Sequence, residues 1–142
     1  MRDFSSSIIE IRGVKHCMPI KYCYDGKTNL LTATASGTLK VDEFEEYLKS
    51  VKNDPKIKSG FIEIFLYSGV DDFDFRFKSG KLISHHYSDL MESKMINVSI
   101  HYSTDNLHMG ISHLLSALLE NVLKVKIAKT AEELQFWINS FR

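Results

Sequence analysis

Apolar residues recur along this 142-residue chain with two alternating spacings, one typical of helices and one typical of strands. Helical spacing predicts four amphipathic helices, within residues 41–52, 81–92, 107–122 and 130–141. Shorter apolar or alternating runs predict strands at residues 18–24, 30–36, 61–67, 96–102 and 125–127. A run at residues 8–11 predicts an extra strand before the others. The last helix is predicted to begin with a capping box of Thr130 and Glu133.

The first two long strands are joined by a strong turn signal, Asp25-Gly26-Lys27-Thr28-Asn29. This signal predicts an antiparallel hairpin over residues 18–36, which Gly37 ends. A helix separates each later pair of strands, and strands joined in this way are parallel with right-handed crossovers. The predicted fold is α/β, a mixed sheet of about five strands with an N-terminal antiparallel hairpin, then alternating helices and parallel strands, with four helices.

Two of the predicted strands carry polar residues that bear on function. Residues 61–67 have the nearly unbroken apolar run of a central strand covered on both faces, and only Glu63 interrupts it. In residues 96–102, apolar residues alternate with polar ones as far as His101. This alternation predicts a half-buried strand with one wetter face.

The length and composition are those of one globular domain spanning residues 1–142. Basic and acidic residues number 18 each, so no net field favours nucleic acid or an anionic membrane surface. No apolar run reaches the roughly 18 residues of a membrane span, and no signal peptide is recognisable. Cys17 and Cys23 are too far apart in one extended segment to form a disulfide, which suits reduced thiols. We therefore expect a cytoplasmic protein that neither binds nucleic acid nor is embedded in a membrane.

The sequence contains none of the short motifs that mark common catalytic sites, such as a glycine-rich phosphate loop or a metalloprotease helix. Glu63 is the one carboxylate predicted inside a central strand, where burial would raise its pKa and make it a candidate general base. The simpler interpretation places Glu63 near the start of the strand with its carboxylate in water. The prediction is a protein without enzymatic activity and without a cofactor.

Six histidines raise the question of a metal site. Neighbouring histidines in the predicted helices are one or five residues apart, whereas chelation on a helix needs a spacing of four. His101 and His108 are expected to meet at the carboxyl edge of the sheet, near Tyr102 or Asp105. Two histidines without a third ligand are typical of hydrogen-bonded structural groups, so no metal site is predicted.

Several segments resemble the SpoIIAA-like family, whose members are related to the STAS domains of anti-sigma-factor antagonists and anion transporters. The resemblance covers residues 18–141, and its strongest segments are residues 22–26, 35–37, 41–44, 65–70 and 130–138. They comprise the hairpin, the acidic start of the first helix, the end of the central strand and the last helix. The resemblance implies a STAS-like core over residues 17–142, with the extra strand within residues 1–16.

In the anti-sigma-factor antagonists, the central strand leads to an aspartate and then to a serine that a partner kinase phosphorylates. Asp74 matches the aspartate, but Phe75 and Arg76 follow where the serine would stand. Ser79 takes that place only through a three-residue insertion, and a serine at a helix start also serves as a cap. The resemblance therefore implies a domain without the usual phosphoserine switch.

Three phenylalanines, Phe73, Phe75 and Phe77, alternate with charged residues after the central strand. They either tuck into the edge of the core or form an aromatic ridge that docks a partner. We expect a non-enzymatic regulatory or protein-interaction domain. It would bind a protein partner, a second copy of the chain, or both, through a loop at residues 67–80 and the helix at residues 81–92.

The alternative function is that of a carrier or sensor of a small apolar, lipid-like ligand, because the SpoIIAA-like arrangement is similar to that of CRAL-TRIO lipid-transfer domains. In an open sheet of parallel strands, ligands bind beyond the carboxyl ends of the strands, here at residues 67–80 and 102–109. The candidate ligand-binding and partner-binding residues are Phe73, Asp74, Phe75, Phe77, Ser79, His101, Tyr102 and His108.

Overall fold

The computed structural model describes residues 20–74 and 77–142, with the side chains of residues 74, 77–79 and 107 left out of the description. The strands are β1 (Ile20–Asp25), β2 (Leu30–Lys40), β3 (Phe61–Asp74), β4 (Ile96–Tyr102) and β5 (Val125–Ala128). The helices are α1 (Val41–Asn53), α2 (Phe77–Ser93), α3 (Asn106–Leu119) and α4 (Ala131–Phe141). The extra strand predicted at residues 8–11, and Cys17, lie outside the described residues.

The five strands form one sheet in the order of the sequence, with β1 antiparallel to β2 and every other pair parallel. This arrangement confirms the predicted α/β fold with its N-terminal hairpin and alternating helices. The hairpin turn is closed by a hydrogen bond of 2.9 Å from the Lys27 amide to the Asp25 carboxylate. Asn29 completes the turn with a φ of 57°, a conformation that asparagine tolerates better than most residues.

β2 and β3 are longer than predicted, and together they extend the sheet beyond its carboxyl edge. Gly37 does not end β2, because the strand passes through it with a φ of 69° and continues to Lys40. Residues 36–40 pair with residues 69–74, whereas β4 pairs with β3 only as far as Leu66. The prediction of a loop beginning at residue 67 was therefore wrong, since mutual backbone pairing keeps this polar, glycine-containing stretch extended. We call residues 36–40 and 69–74 the β2–β3 extension.

Helices cover both faces of the central strand, as predicted. α1, α2 and α3 lie on one face, where they bury the side chains that include Phe61, Phe65 and Tyr67 of β3. α4 lies on the other face, where Ile138 packs with Ile62, Ile64, Val98, Ile100 and Ala128. The alternation of side chains along β3 thus supplies two separate cores.

The prediction of a wetter face on β4 was wrong. Ser99 and His101 are both fully buried, with none of their surface exposed. Their alternation with apolar residues was interpreted correctly, but the polar side points toward the three-helix face, alongside Glu63 and Phe65 of β3. Polar groups in such a place need hydrogen-bond partners inside the protein, and they have them.

The helix boundaries differ from the predicted ones by a few residues. α2 begins at Phe77 rather than near residue 81, and α3 ends at Leu119 rather than at residue 122. At the start of α4, the Thr130 hydroxyl accepts a hydrogen bond of 3.1 Å from the Glu133 amide, as the capping box requires. The Glu133 carboxylate accepts from the amide of Lys129 at 2.7 Å, one residue before the position that a complete capping box uses. In the described part of the chain, no helix is both long and apolar enough to cross a membrane.

Candidate functional site

A small cleft lies at the carboxyl edge of the sheet, between the ends of β3 and β4 and the start of α3. It measures about 270 Å³ and is lined by Leu66, Ser68, Tyr102, Ser103, Thr104, Asp105 and His108. Two of the predicted site residues, Tyr102 and His108, therefore come together at this edge. The lining combines the hydroxyl, carboxylate and imidazole groups of these residues with apolar surface of Leu66 and Tyr102.

His108 is buried and is held through both of its ring nitrogens. Its Nε2 is 2.8 Å from the carbonyl oxygen of Val70, so Nε2 carries the hydrogen that is donated to this oxygen. Its Nδ1 is 3.0 Å from the hydroxyl of Ser103, which also accepts a hydrogen bond from the Asp105 amide. His108 thus joins α3 to the β2–β3 extension and has no ring nitrogen left for a metal.

His101 lies deeper than predicted, in the core rather than at the cleft. Its Nδ1 is 2.6 Å from the hydroxyl of Tyr67, and its Nε2 is 3.0 Å from the hydroxyl of Ser99. Burial lowers the pKa of His101 to about 3, because the cationic ring would lose its hydration there. His101 is therefore neutral at physiological pH.

The two predicted partners, His101 and His108, are brought near each other, but Tyr67 separates them. The Tyr67 ring centroid is 5.6 Å from that of His101 and 6.2 Å from that of His108. Among residues 20–74 and 77–142, no three histidine, cysteine or carboxylate side chains are arranged to hold a metal ion. The geometry is that of a stacked aromatic column.

Glu63 is fully buried, which corrects the expectation that its carboxylate lies in water. One carboxylate oxygen accepts hydrogen bonds from Tyr47 at 2.5 Å and from Tyr87 at 2.9 Å. The other accepts from Ser99 at 2.5 Å and more weakly from Tyr87 at 3.1 Å. Burial raises the pKa of Glu63, and the three hydroxyl donors oppose that rise. We call Tyr47, Glu63, Tyr67, Tyr87, Ser99 and His101 the Glu63 network.

The surroundings of Glu63 do not favour the role of a general base. A general base needs hydrogen-bond reach to a reacting group, and both oxygens of this carboxylate are already used by hydroxyls of the protein. The carboxylate also has no exposed surface. The network therefore links two helices to the sheet: Tyr47 belongs to α1 and Tyr87 to α2.

Four members of the Glu63 network were not predicted from the sequence: Tyr47, Tyr67, Tyr87 and Ser99. Tyr47 and Tyr87 stand in the apolar stripes of α1 and α2, where they were counted as ordinary core residues. Their hydroxyls could have been suspected, because a buried tyrosine usually has a hydrogen-bond partner. The carboxylate of a glutamate inside an apolar strand is a natural acceptor for such hydroxyls.

Phe73 is the one member of the predicted aromatic segment whose side chain is described. It is half-buried, packs against the larger core and lies 6.4 Å from Tyr67 between ring centroids. Asp74 pairs through its backbone with Lys40 at the end of the β2–β3 extension. The side chains of Asp74, Phe75, Phe77 and Ser79 lie outside the described set, so their predicted roles remain predictions.

A second concave surface runs between α2 and α3. This α2–α3 groove measures about 420 Å³ and is lined by Lys81, Ser84, Leu114, Ala117 and Leu118. Leu114 is 47% exposed in it. The helices touch at one end of the groove, where a Cβ atom on Gly80 would lie 2.7 Å from a methyl group of Leu118.

Comparison with known proteins supports the fold. The structure is similar to that of an uncharacterized protein from the DUF3478 family with a SpoIIAA-like fold, from Shewanella loihica PV-4. The TM-score is 0.53 at 10% sequence identity, and the match covers 87% of this chain and 97% of the other. No protein-family model and no curated protein matches the chain. The similarity confirms the SpoIIAA-like, STAS-like fold that the sequence indicated.

Proposed function

We propose that this chain is a non-enzymatic interaction domain of the STAS-like type, which binds a protein partner through the outer surfaces of α2 and α3. The observation that carries the proposal is the α2–α3 groove, in which the large aliphatic side chain of Leu114 is about half exposed. Exposed apolar surface of this kind marks sites of association. α2 is also the helix that the resemblance to the anti-sigma-factor antagonists implies for partner binding.

The charges around the groove indicate what kind of partner fits. No aspartate or glutamate occurs in residues 77–88 of α2 or anywhere in α3. Lys81 is exposed, and it is the charged residue that lines the groove. A partner helix with apolar side chains flanked by carboxylates matches this surface in both shape and charge.

Affinity capture from the native cell tests the proposal with matched variants of the full chain. Leu114→Glu places a carboxylate in the groove and should lower recovery of the partner at least about tenfold, which corresponds to ~1.4 kcal/mol. The matched control is Phe136→Glu on α4, because Phe136 is 59% exposed on the opposite side of the sheet. We expect wild type and the Phe136→Glu control to recover one or more proteins that Leu114→Glu does not recover.

Two outcomes would contradict the proposal. One is equal recovery of the same proteins by wild type, Leu114→Glu and Phe136→Glu. The other is a wild-type dimer in sedimentation experiments that Leu114→Glu dissociates, since the groove would then be occupied by a second copy of the chain. Urea unfolding of each variant verifies that the fold is retained.

A further inference from the structure

The buried hydroxyls and ring nitrogens around Glu63 form one continuous hydrogen-bonded chain. It runs from Glu63 through the Ser99 hydroxyl to Nε2 of His101, and from Nδ1 of His101 to the Tyr67 hydroxyl. Beyond Tyr67 it reaches Ser112 of α3, whose hydroxyl also lies 2.9 Å from the carbonyl oxygen of His108. Each of these hydrogen bonds contains one hydrogen, and each hydroxyl and the neutral imidazole carries one. The donor in one hydrogen bond therefore determines the donor in the next.

When Glu63 is ionised, only one arrangement satisfies the whole chain. The Ser99 hydroxyl donates to the carboxylate, so its oxygen must accept from His101. His101 then carries its hydrogen on Nε2, and its bare Nδ1 accepts from the Tyr67 hydroxyl. The Ser112 hydroxyl donates to the carbonyl oxygen of His108. Every buried polar side-chain atom that is described has a partner, and the distances along the relay fit this arrangement and its reverse equally.

A proton added to the Glu63 oxygen that faces Ser99 reverses every link of this hydrogen-bond relay. The Glu63 hydroxyl donates to Ser99, Ser99 donates to Nε2 of His101, and His101 carries its hydrogen on Nδ1 and donates to Tyr67. The Tyr67 hydroxyl then donates to the oxygen of Ser112, whose own hydrogen stays on the His108 carbonyl oxygen. This second arrangement also satisfies each group, and no heavy atom has to move.

We propose that this row of hydrogen bonds is a proton relay, with Glu63 as the group that binds the proton. When Glu63 takes up one proton, His101 changes from the tautomer with hydrogen on Nε2 to the tautomer with hydrogen on Nδ1. The proton comes from solvent and is delivered to the buried Tyr67 hydroxyl, which requires a transient local opening of the core. Tyr67 passes its original hydrogen to Nδ1, Nε2 passes its hydrogen to Ser99, and Ser99 passes its hydrogen to Glu63. The net change is one proton gained and one negative charge neutralised, with His101 uncharged before and after.

Among the side chains that the structure describes, no charged group contacts Glu63. The groups that face it are Tyr47 of α1, Tyr87 of α2 and Ser99 of β4, while Leu31 of β2 lies beside it in the sheet. Burial raises the pKa of Tyr47 and Tyr87, so both remain neutral donors. Beyond Tyr47, Tyr22 of β1 hydrogen-bonds to Asp54. Neither ion pair described in residues 20–74 and 77–142 involves Glu63.

The relay connects the core with the carboxyl edge of the sheet. Tyr67 is its outermost ring, and it contacts Phe73 of the β2–β3 extension and stacks near His108. The direction of the Tyr67 hydroxyl, toward β4 or toward α3, therefore reports whether Glu63 holds a proton. The device is a pH-dependent switch built from hydrogen positions, and it is independent of the proposed partner surface.

Nitrogen NMR of the full chain tests the relay, because ring nitrogens with and without hydrogen have distinct chemical shifts. Histidine labelled with ¹⁵N is followed from about pH 8 downward for as long as the protein stays folded, since protonation of histidine is itself visible in this range. His101→Gln identifies the resonances of His101. The expected result is that Nδ1 and Nε2 exchange their protonated and unprotonated shifts, with the midpoint of the Glu63 carboxyl titration measured by ¹³C. An unchanged tautomer over the whole folded range, or a cationic ring, would overturn the proposal.

Two variants test the hydrogen-bond connections of the relay. In Glu63→Gln the amide NH₂ stands in for the protonated carboxyl and donates to Ser99, so His101 should carry hydrogen on Nδ1 already at neutral pH. A folded Glu63→Gln protein with hydrogen on Nε2 would refute the relay. Ser99→Ala removes the hydroxyl that links Glu63 to His101, so the tautomer of His101 should no longer depend on the protonation of Glu63. A tautomer change in this variant with the same midpoint as in wild type would also refute the relay. If Glu63→Gln does not fold, the wild-type titration decides alone.

Discussion

Acidification should destabilise this domain through one buried residue, His101. Its pKa is about 3 in the folded protein and 6.5 in an exposed reference state. Below pH 6.5 the imidazole of His101 binds a proton in the unfolded chain but not in the folded protein, so the free energy of unfolding falls as the pH falls. The stabilising contribution is complete above about pH 6.5 and is lost progressively down to the folded pKa.

The size of this effect follows from the difference between the two pKa values. Each pH unit between them is worth about 1.4 kcal/mol. A descent to about pH 4.5 spans roughly two such units, so His101 alone should remove about 3 kcal/mol from the free energy of unfolding. This is a large part of the roughly 5–15 kcal/mol that holds a domain folded.

Urea unfolding at several pH values measures the effect, with the fluorescence of Trp137, the single tryptophan, as the probe. The matched variant is His101→Gln, which keeps a donor and an acceptor in the network but does not titrate. The expected result is a wild-type stability that falls toward acid more steeply than that of the variant, by about 3 kcal/mol between pH 7 and about pH 4.5. Parallel curves for the two proteins would refute the reasoning.

Three further predictions concern the core and a helix start. Glu63 should change the free energy of unfolding with pH in the opposite direction to His101, because burial raises the pKa of Glu63. Wild type should therefore lose stability relative to Glu63→Gln as the pH rises from about 4 to 7, and equal curves for the two proteins would contradict this. Phe65→Ala should cost about 3–5 kcal/mol in urea unfolding, because Phe65 is fully buried between Phe44 and His101. The exposed control Phe136→Ala should cost only about 1 kcal/mol, for the loss of its edge contact with Trp137. Thr130→Ala should cost about 1 kcal/mol by removing the cap of α4, whereas Thr130→Ser should restore most of it.

The architecture could be predicted from the sequence because it rests on local signals. The turn at residues 25–29 sets the hairpin, and the spacing of apolar residues sets the helices. The capping threonine fixes the start of α4. Where these signals agree with the tertiary structure, element type and order follow from short stretches of chain.

The Glu63 network could not be predicted in this way, because its members are far apart in the sequence. Tyr47 is 16 residues from Glu63, and Ser99 is 36 residues from it. The alternation along β4 shows that Ser99 and His101 share a face, but three helices decide that the face is buried. The same holds for the β2–β3 extension, where pairing with a distant segment overrides the local signal of Gly37 to stop.

The proposed partner surface is tested most directly by photo-crosslinking in the native cell. A photoreactive side chain replaces Leu114 in one protein and the exposed Phe136 in the other. The account predicts a discrete adduct with one protein from position 114 that is absent from position 136. No adduct at position 114, or the same adducts from both positions, would contradict the claim that the α2–α3 groove binds a partner.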